Sequence, residues 1–517
     1  ILAKMASYVP LGGIWLNTQR PEWNDANNAL AGYGLSMVTL YYLRRFLVFL
    51  VRIYTDAQAG PFAVTGDTAD FFRAMSSLFA EQKPETIASP AQRRSFMDKT
   101  GSLFETWRET LYRQGYASGT STLSADELIR GFSAFLSHIE AAIRANERSD
   151  GLYHSYNTMN VRQDEGIDVE YLPEMLEGQV AVLSSGYLTP EAALSLCRTL
   201  KTSALFREDQ YSYILYPEKE LPHFCDKNNA SEAEIRAIPF LSRCVDSGDC
   251  TIGKLDANRV FHFNPQFRNA LVMESVLQKA GQKENAKESE LQAVRDLYEK
   301  TFNHRSFTGR SGTFYAYEGL GSIYWHMVAK LMLAVQENCL AAKDPSTRKA
   351  LTEVYYDVRA GIGFNKAPEV YGAFPTDPYS HTPAGQGAKQ PGMTGQVKEE
   401  ILTRWTELGI RVEDGILSLD PEFLGIPEIR EDGTLRFSWC NTLFVYRLEN
   451  ADANTASKPD WSKRDWSKRL NVTGLTVTKS SGETAEHEGN RLTREDSAAV
   501  FSRSGTITEI EARIRLL

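Results

Sequence analysis

The sequence lacks any CxxC pair. Its six cysteines (Cys197, Cys225, Cys244, Cys250, Cys339 and Cys440) are scattered through 517 residues, a spacing that indicates neither a zinc site nor a dense disulfide framework. Reduced thiols in a cytoplasmic protein are the expectation. A basic excess is also lacking. The formal net charge is -9, so nothing supplies the positive face that general nucleic-acid binding needs. The longest apolar stretch, Leu35 to Tyr54, is interrupted by Arg44 and Arg45, whereas a membrane-spanning helix needs ~20 mostly apolar residues. A buried core helix is expected there, and no membrane partner. No secretory leader pattern opens the chain, which starts at Ile1 and runs at once into what reads as domain interior. A fragment with a missing upstream part is therefore expected.

What is present is ordinary globular composition, 42% hydrophobic and 24% charged, in a chain long enough for a large core and two domains. Up to about Gly409 the apolar residues recur at three- and four-residue spacing, which predicts helices over Ala125–Ala145, Leu188–Leu200, Asn269–Ala280, Glu288–Phe302 and Tyr324–Ala342. Long loops rich in Gly, Pro and aromatics separate them, and loops of such length tend to be functional. After Asp420 the segments TLRFSWCNTLFVYRL, LNVTGLTVTKSSG and AAVFSRSGTITEIEARIRLL alternate apolar and polar residues, as antiparallel strands do. A tandem DWSKR repeat between them reads as an exposed connector. The predicted fold is mainly α: a toroid of helix pairs over residues 1–419, with its loops gathered at one mouth. A small antiparallel β-sandwich follows over residues 420–517.

The stretch RPEWNDANNALAGYG, Arg20 to Gly34, places two carboxylates and an indole beside an amide cluster. A capped loop explains the amides but not Trp23. A carboxylic acid beside an indole suits a sugar: the indole face stacks on the ring while the acid protonates the departing glycosidic oxygen. Apolar surroundings raise a carboxyl pKa and keep such an acid protonated near neutral pH.

Glu22-Trp23-Asn24-Asp25, with Asn28, Gly32 and Gly34-Leu35-Ser36, resembles the DWNDGMN…G.GES stretch of cellobiose- and chitobiose-type phosphorylases. Glu22 stands where that family has Asp, and Ala26-Asn27 where it has Gly-Met. Gly321 to His326 (GSIYWH) is similar to the family's GGIFCH segment, Asp377 to Gly385 (DPYSHTPAG) to its EPYVYSQTIAG, and Met393-Thr394-Gly395 to its TGTA turn, in the same order. The resemblance implies an inverting phosphorylase with an (α/α)6 barrel and a C-terminal β-domain. It implies that Asp25 is the general acid, that Trp23 and Asn24 bind sugar, and that His326, Thr394 and Gly395 hold phosphate. His381 occupies the position of a family Gln beside the phosphate. Glu318 lies one residue out of register with a sugar-binding Glu. The stretch from Tyr54 to about Asn303 reads as an insertion, and segments within it look like the longer members acting on β-glucan oligosaccharides, especially β-1,2-linked ones. If this chain is all there is, the family's early barrel helices and N-terminal sandwich are expected to be absent, with exposed apolar helix faces and poor solubility or activity of these residues alone. Homodimers are common in the family.

Other readings stand beside these. Asp25 could be a helix cap and His326 a satisfied core residue, although the three matching segments favour the catalytic and anion-binding readings; Thr394-Gly395 could be a helix start, which itself favours phosphate. Arg305 and Arg310 fit a phosphate pocket or a solvated loop. An inverting hydrolase needs a second carboxylate to activate water, for which Glu174, Glu177 and Glu318 are the candidates. Phosphate is already an anion and needs only an acid and a cradle. The expected reaction is phosphorolysis of a β-linked oligosaccharide with inorganic phosphate as co-substrate and no metal or organic cofactor. The alternatives are a hydrolase or transglycosylase on the same barrel, or a non-catalytic glycan-binding protein.

Overall fold

The structure, a computed structural model, describes the chain apart from residues 18–29, 58–59, 116–118, 163–165, 218–223, 303–320, 375–378, 390–394, 425–427, 431, 450–469 and 517. The helices of its first part include α1 (Met37–Ala57), α2 (Ala125–Ala145), α3 (Leu176–Ser184), α4 (Pro190–Thr202), α5 (Trp325–Ala341), α6 (Pro345–Ala360) and α7 (Gly395–Glu407), with Gly66–Glu81 and Pro90–Gln114 packed into the same core. Local chemistry sets their ends. At α2, Ser124 Oγ accepts from the Glu127 N–H and the Glu127 carboxylate accepts from the Ser124 N–H, a capping box. Thr189 and Asp344 cap α4 and α6 in the same sense, each followed by a proline in the first turn.

Helices α1, α3, α5 and α7 stand side by side in that order, with α2 packed on α1 and with α4 and α6 packed on α5 and on each other. The row is parallel. Toward its C-terminal end Arg45 of α1 donates to Ser184 O, Asn338 of α5 to Leu183 O and Gln336 of α5 to Thr403 O of α7. Toward the other end Met37 and Gly178, at the starts of α1 and α3, both donate to Ser155.

The expected core helix over the apolar stretch is buried on one face only. Leu40, Tyr41, Leu43 and Leu47 are buried, whereas Tyr42, Phe46, Phe49 and Ile53 are 38–48% exposed. At the far end of the row, Val397, Ile401 and Trp405 of α7 form a second exposed apolar stripe. Among the described residues each of these helices has a row neighbour on one side only, which leaves its other apolar face exposed. No helix among the described residues is long and apolar enough to cross a membrane.

Strands β1 (Gly13–Trp15), β2 (Gly34–Ser36), β3 (Tyr156–Arg162) and β4 (Gly166–Tyr171) form an antiparallel sheet in that order, with Tyr8–Val9 on its outer edge. Between α4 and α5 lies a unit with its own hydrophobic core, drawn from Ala230 to Phe302. It comprises a three-stranded sheet and the helices Pro239–Ser247, Ala270–Lys283 and Glu288–Phe302.

Beyond β5 (Ile323–Tyr324) and β6 (His381–Thr382), a five-stranded C-terminal sheet contains β7 (Thr434–Trp439), β8 (Thr442–Leu448), β9 (Leu470–Lys479), β10 (Thr484–Glu488) and β11 (Ile507–Leu516), in the order β7-β8-β11-β9-β10. One pair, β8 with β11, is parallel, and the others are antiparallel. The alternation in AAVF, read as strand, belongs to the helix Arg494–Phe501. Thr493 caps it, and Ser497 and Val500 are its buried residues, at three-residue spacing. The helix carries the chain back from the edge strand β10, so that β11 enters the middle of the sheet. The core of this sheet also takes in Leu408, Ile410, Leu417 and Leu419, on the helical side of residue 420. The DWSKR repeat lies outside the described residues.

Candidate active site

A belt of backbone hydrogen bonds ties the N-terminal ends of the row together. Met37 N–H donates to Ser155 O, Leu176 N–H to Leu215 O, Leu215 N–H to Ser322 O, and Trp325 N–H to Ser380 O. Ser155 Oγ in turn donates to Met175 O. The described parts of the candidate segments, Gly34–Ser36, residues 321–326, His381 and Gly395, therefore border one end of the helix row, because each immediately precedes a row helix or pairs with a strand that does.

The first segment is rooted by β1 and β2. Ile14 pairs with Ser36 and Trp15 with Leu35, while Leu16 N–H donates to Gly34 O and Gly32 N–H to Leu16 O. The Trp15 indole closes the stem by donating to Gly32 O at 3.0 Å. Gly34 meets Leu30 so closely that an added Cβ would lie 2.3 Å from Leu30 Cβ, which accounts for glycine there. Trp23, Asn24 and Asp25 lie in the segment between these roots and outside the described residues, as do Glu318, Thr394, Arg305 and Arg310.

The second group is brought together. His326 is the second residue of α5, His381 pairs across from Tyr324 in β5–β6, and Gly395 is the first residue of α7. The Tyr324 ring stacks on the His381 ring with centroids 5.0 Å apart, and its hydroxyl lies 3.3 Å from His326 Nδ1. His326 Nε2 faces Glu399 of α7 at 3.9 Å. Burial, helped by the positive charges of Lys330 and Lys398, pulls the His326 pKa down to about 4. Burial raises the Glu399 carboxyl above its ordinary value. Distance alone would make this contact an ion pair. The pKa directions oppose charge on both members and govern here, because neither charge recovers at 3.9 Å what it loses in solvation.

The sign of the His326 shift fixes a pH dependence. A histidine depressed from 6.5 to about 4 takes up its proton more readily when unfolded, so its stabilising contribution is intact above 6.5 and is lost as pH falls toward 4. Urea unfolding at pH 7.5 and 5.0 is expected to show this loss, and His326→Gln is expected to shrink it. The raised Glu399 carboxyl acts in the opposite sense and is common to both proteins.

Sequence reasoning missed Arg207. Its side chain is 10% exposed and its guanidinium donates to Gly321 O at 2.9 Å and to Thr382 O at 3.0 Å. One cation thus ties Gly321, two residues ahead of β5, to Thr382 of β6. Nothing local in the sequence marks it, since the partners lie 114 and 175 residues away. Lys366, also missed, sits over the Trp325 ring and has its pKa lowered to about 8 by burial and by Arg207. Of the candidate second carboxylates, Glu174 is engaged with Arg148 at 3.2 Å, and Glu177 is buried in the first turn of α3.

Residues 221–305 match the family model described as GH149 phosphorylase insertion domain 2. The chain is a glycoside phosphorylase. The matched residues coincide with the separate core from Ala230 to Phe302, so the inserted unit of the phosphorylase is both a sequence unit and a folding unit. It also falls within the stretch, Tyr54 to about Asn303, where an insertion was expected. No curated protein matches the chain. A phosphorylase acts on an oligosaccharide and phosphate, which makes the group around His326 the natural place to look for an anion site.

Proposed function

We propose that the phosphorylase carries out inverting phosphorolysis of β-linked gluco-oligosaccharides, β-1,2-linked ones foremost, yielding α-glucose 1-phosphate and a shortened chain. Asp25 protonates the departing glycosidic oxygen, and Trp23, Asn24 and Glu318 bind the sugar. Phosphate is held by His326, His381, Thr394 and the first-turn N–H groups beginning at Gly395, and it attacks the anomeric carbon from the opposite face. The helix row is part of an (α/α)6 toroid, in which further helices cover the exposed stripes of α1 and α7.

The observation that carries this reading is the field at His326. Lys330, from the second turn of α5, and Lys398, from the first turn of α7, both act on His326, which itself lies in the first turn of α5 where the helix dipole adds positive potential. Burial is the larger cause of the lowered His326 pKa, and the two lysines add the positive potential that an anion would meet there. The hydrolase reading would instead need a free carboxylate, and Glu174 is already paired with Arg148.

Release of α-glucose 1-phosphate from β-glucan oligosaccharides, with and without inorganic phosphate, tests the reading. Release should require phosphate. His326→Ala should raise the phosphate KM by about tenfold or more, the worth of one hydrogen bond to a charged group, and leave the oligosaccharide KM unchanged. Sugar release independent of phosphate would overturn it.

A further inference from the structure

We propose that Arg207 is a positioning residue for phosphate: by holding the backbone on both sides of the β5–β6 pair, it fixes where His326 and His381 meet the anion. The inference rests on the phosphate reading above and adds to it a residue that acts on the anion through the backbone.

The strand pair needs such a tie. β5 and β6 have two residues each, with Ile323 opposite Thr382 and Tyr324 opposite His381, and a two-stranded ribbon of that length has little stability of its own. Alternation sends neighbouring side chains to opposite faces. Ile323 and Thr382 are fully buried on one face, while Tyr324 and His381 stack on the other with centroids 5.0 Å apart. Thr382 also accepts the Trp325 indole N–H at 2.8 Å, which fastens β6 to the first residue of α5. His326 follows at once, so displacing the pair displaces both histidines.

The surroundings of Arg207 aim it at this pair. Its strand, Phe206–Arg207, pairs with Ser212–Tyr213, and the chain continues into Leu215, whose N–H donates to Ser322 O. The Asp209 carboxylate, two residues on, accepts the Arg207 Nε–H at 2.7 Å and sets the plane of the guanidinium. The two hydrogens of Nη1 then go to Gly321 O at 2.9 Å and Thr382 O at 3.0 Å. A planar fork holds two acceptors at a set separation, which a lysine ammonium on its flexible stem does not. Both bonds are charge-assisted and stronger than those between neutral groups.

Bringing a guanidinium to 10% exposure sacrifices solvation, and the core beneath is already closed by Ile323, Trp325 and Tyr371. What the two bonds achieve is geometric: they set the separation of the segments that flank Tyr324 and His381. Without Arg207 the pair keeps its ties from Leu215 to Ser322 O and from Trp325 to Ser380 O, so it stays formed. The distance from Gly321 to Thr382 is then no longer fixed, and the Tyr324–His381 stack loosens. The histidines meet phosphate in a spread of positions rather than one, and a misplacement of about 1 Å in a site costs on the order of 10²-fold.

The test is NMR of the 517-residue chain labelled at histidine and titrated with inorganic phosphate, in wild type, Arg207→Met, Arg207→Lys and Asp209→Ala. In wild type, phosphate should move the His326 and His381 signals, assigned through His326→Gln and His381→Gln. Arg207→Met should bind phosphate about tenfold or more weakly, the worth of one hydrogen bond to a charged group. Its His381 signals should also lose part of the ring-current shift from Tyr324 before phosphate is added. Arg207→Lys keeps the charge but not the fork, and it should share both defects. Asp209→Ala removes a side chain that is 57% exposed, so it guards against an Arg207 variant failing to fold, and it should show the same defects in smaller degree. Phosphate affinity and His381 signals equal to wild type in all three variants, whatever their urea midpoints, overturn the positioning role and leave phosphate at the site. A titration in which phosphate moves no histidine of the wild type overturns the phosphate reading, and the role of Arg207 with it.

Discussion

Asp25→Asn is expected to slow phosphorolysis of a β-linked gluco-oligosaccharide by about 10²–10⁴-fold, the usual worth of a positioned general acid, with saccharide binding nearly unchanged. The physical reason is specific to the leaving group. A sugar alkoxide is a poor leaving group unless protonated as the bond breaks, and an amide of the same shape does not supply that proton. An aryl β-glucoside whose phenol leaves readily without protonation should therefore recover most of its rate in the variant. Selective rescue is the decisive measurement, since a variant damaged in folding or sugar binding would lose both substrates alike. Full activity of Asp25→Asn on the natural linkage would place the acid elsewhere.

Glu407→Ala is expected to destabilise the protein by about 3–5 kcal/mol, the cost of breaking a buried charge network on one side. Glu407 is 1% exposed, near the C-terminal end of α7. It accepts the Tyr355 hydroxyl at 2.5 Å, Arg404 at 2.8 Å and Arg359 at 3.3 Å. Arg404 is also paired with Glu428, so it keeps a partner in the variant. Arg359, 17% exposed, loses one of its anionic contacts. The Tyr446 hydroxyl donates to the carbonyl of the next residue, Leu408, at 2.6 Å. The network thus sits where α7 joins the C-terminal sheet. Urea denaturation of the variant should show a lower midpoint, and an unchanged midpoint would mean that desolvation cancels the pairing. Because α7 also carries Gly395 and Glu399, the variant should weaken phosphate binding beyond its effect on stability.

The legible part of this fold is the part written at short range. Ala125–Ala145 and Glu288–Phe302 fall on the predicted bounds, because a helix is read from apolar spacing and a capping residue within a few positions. AAVF failed by the same logic: four residues alternate by chance, and the Thr493 cap that starts the helix lies outside the pattern. The apolar stretch at α1 was read correctly as a helix, but spacing does not say what lies against each face, and half of that face is exposed.

At the site, the sequence by itself pointed to candidate segments, to an inserted unit among the helices, and to the helices that start at Met37, Trp325 and Gly395. Those properties are local, so they survive without the fold. Tertiary structure alone decided that the row helices run parallel, so that the starts of α1, α3, α5 and α7 share one end. It also decided that Lys330 and Lys398 act on His326, that Glu399 faces the same ring, and that Arg207 ties Gly321 to Thr382 from more than a hundred residues away. The reason is electrostatic and geometric. A pKa, a field and a clamp depend on distances of 3–4 Å between groups far apart in the chain, and no period in a sequence encodes those distances.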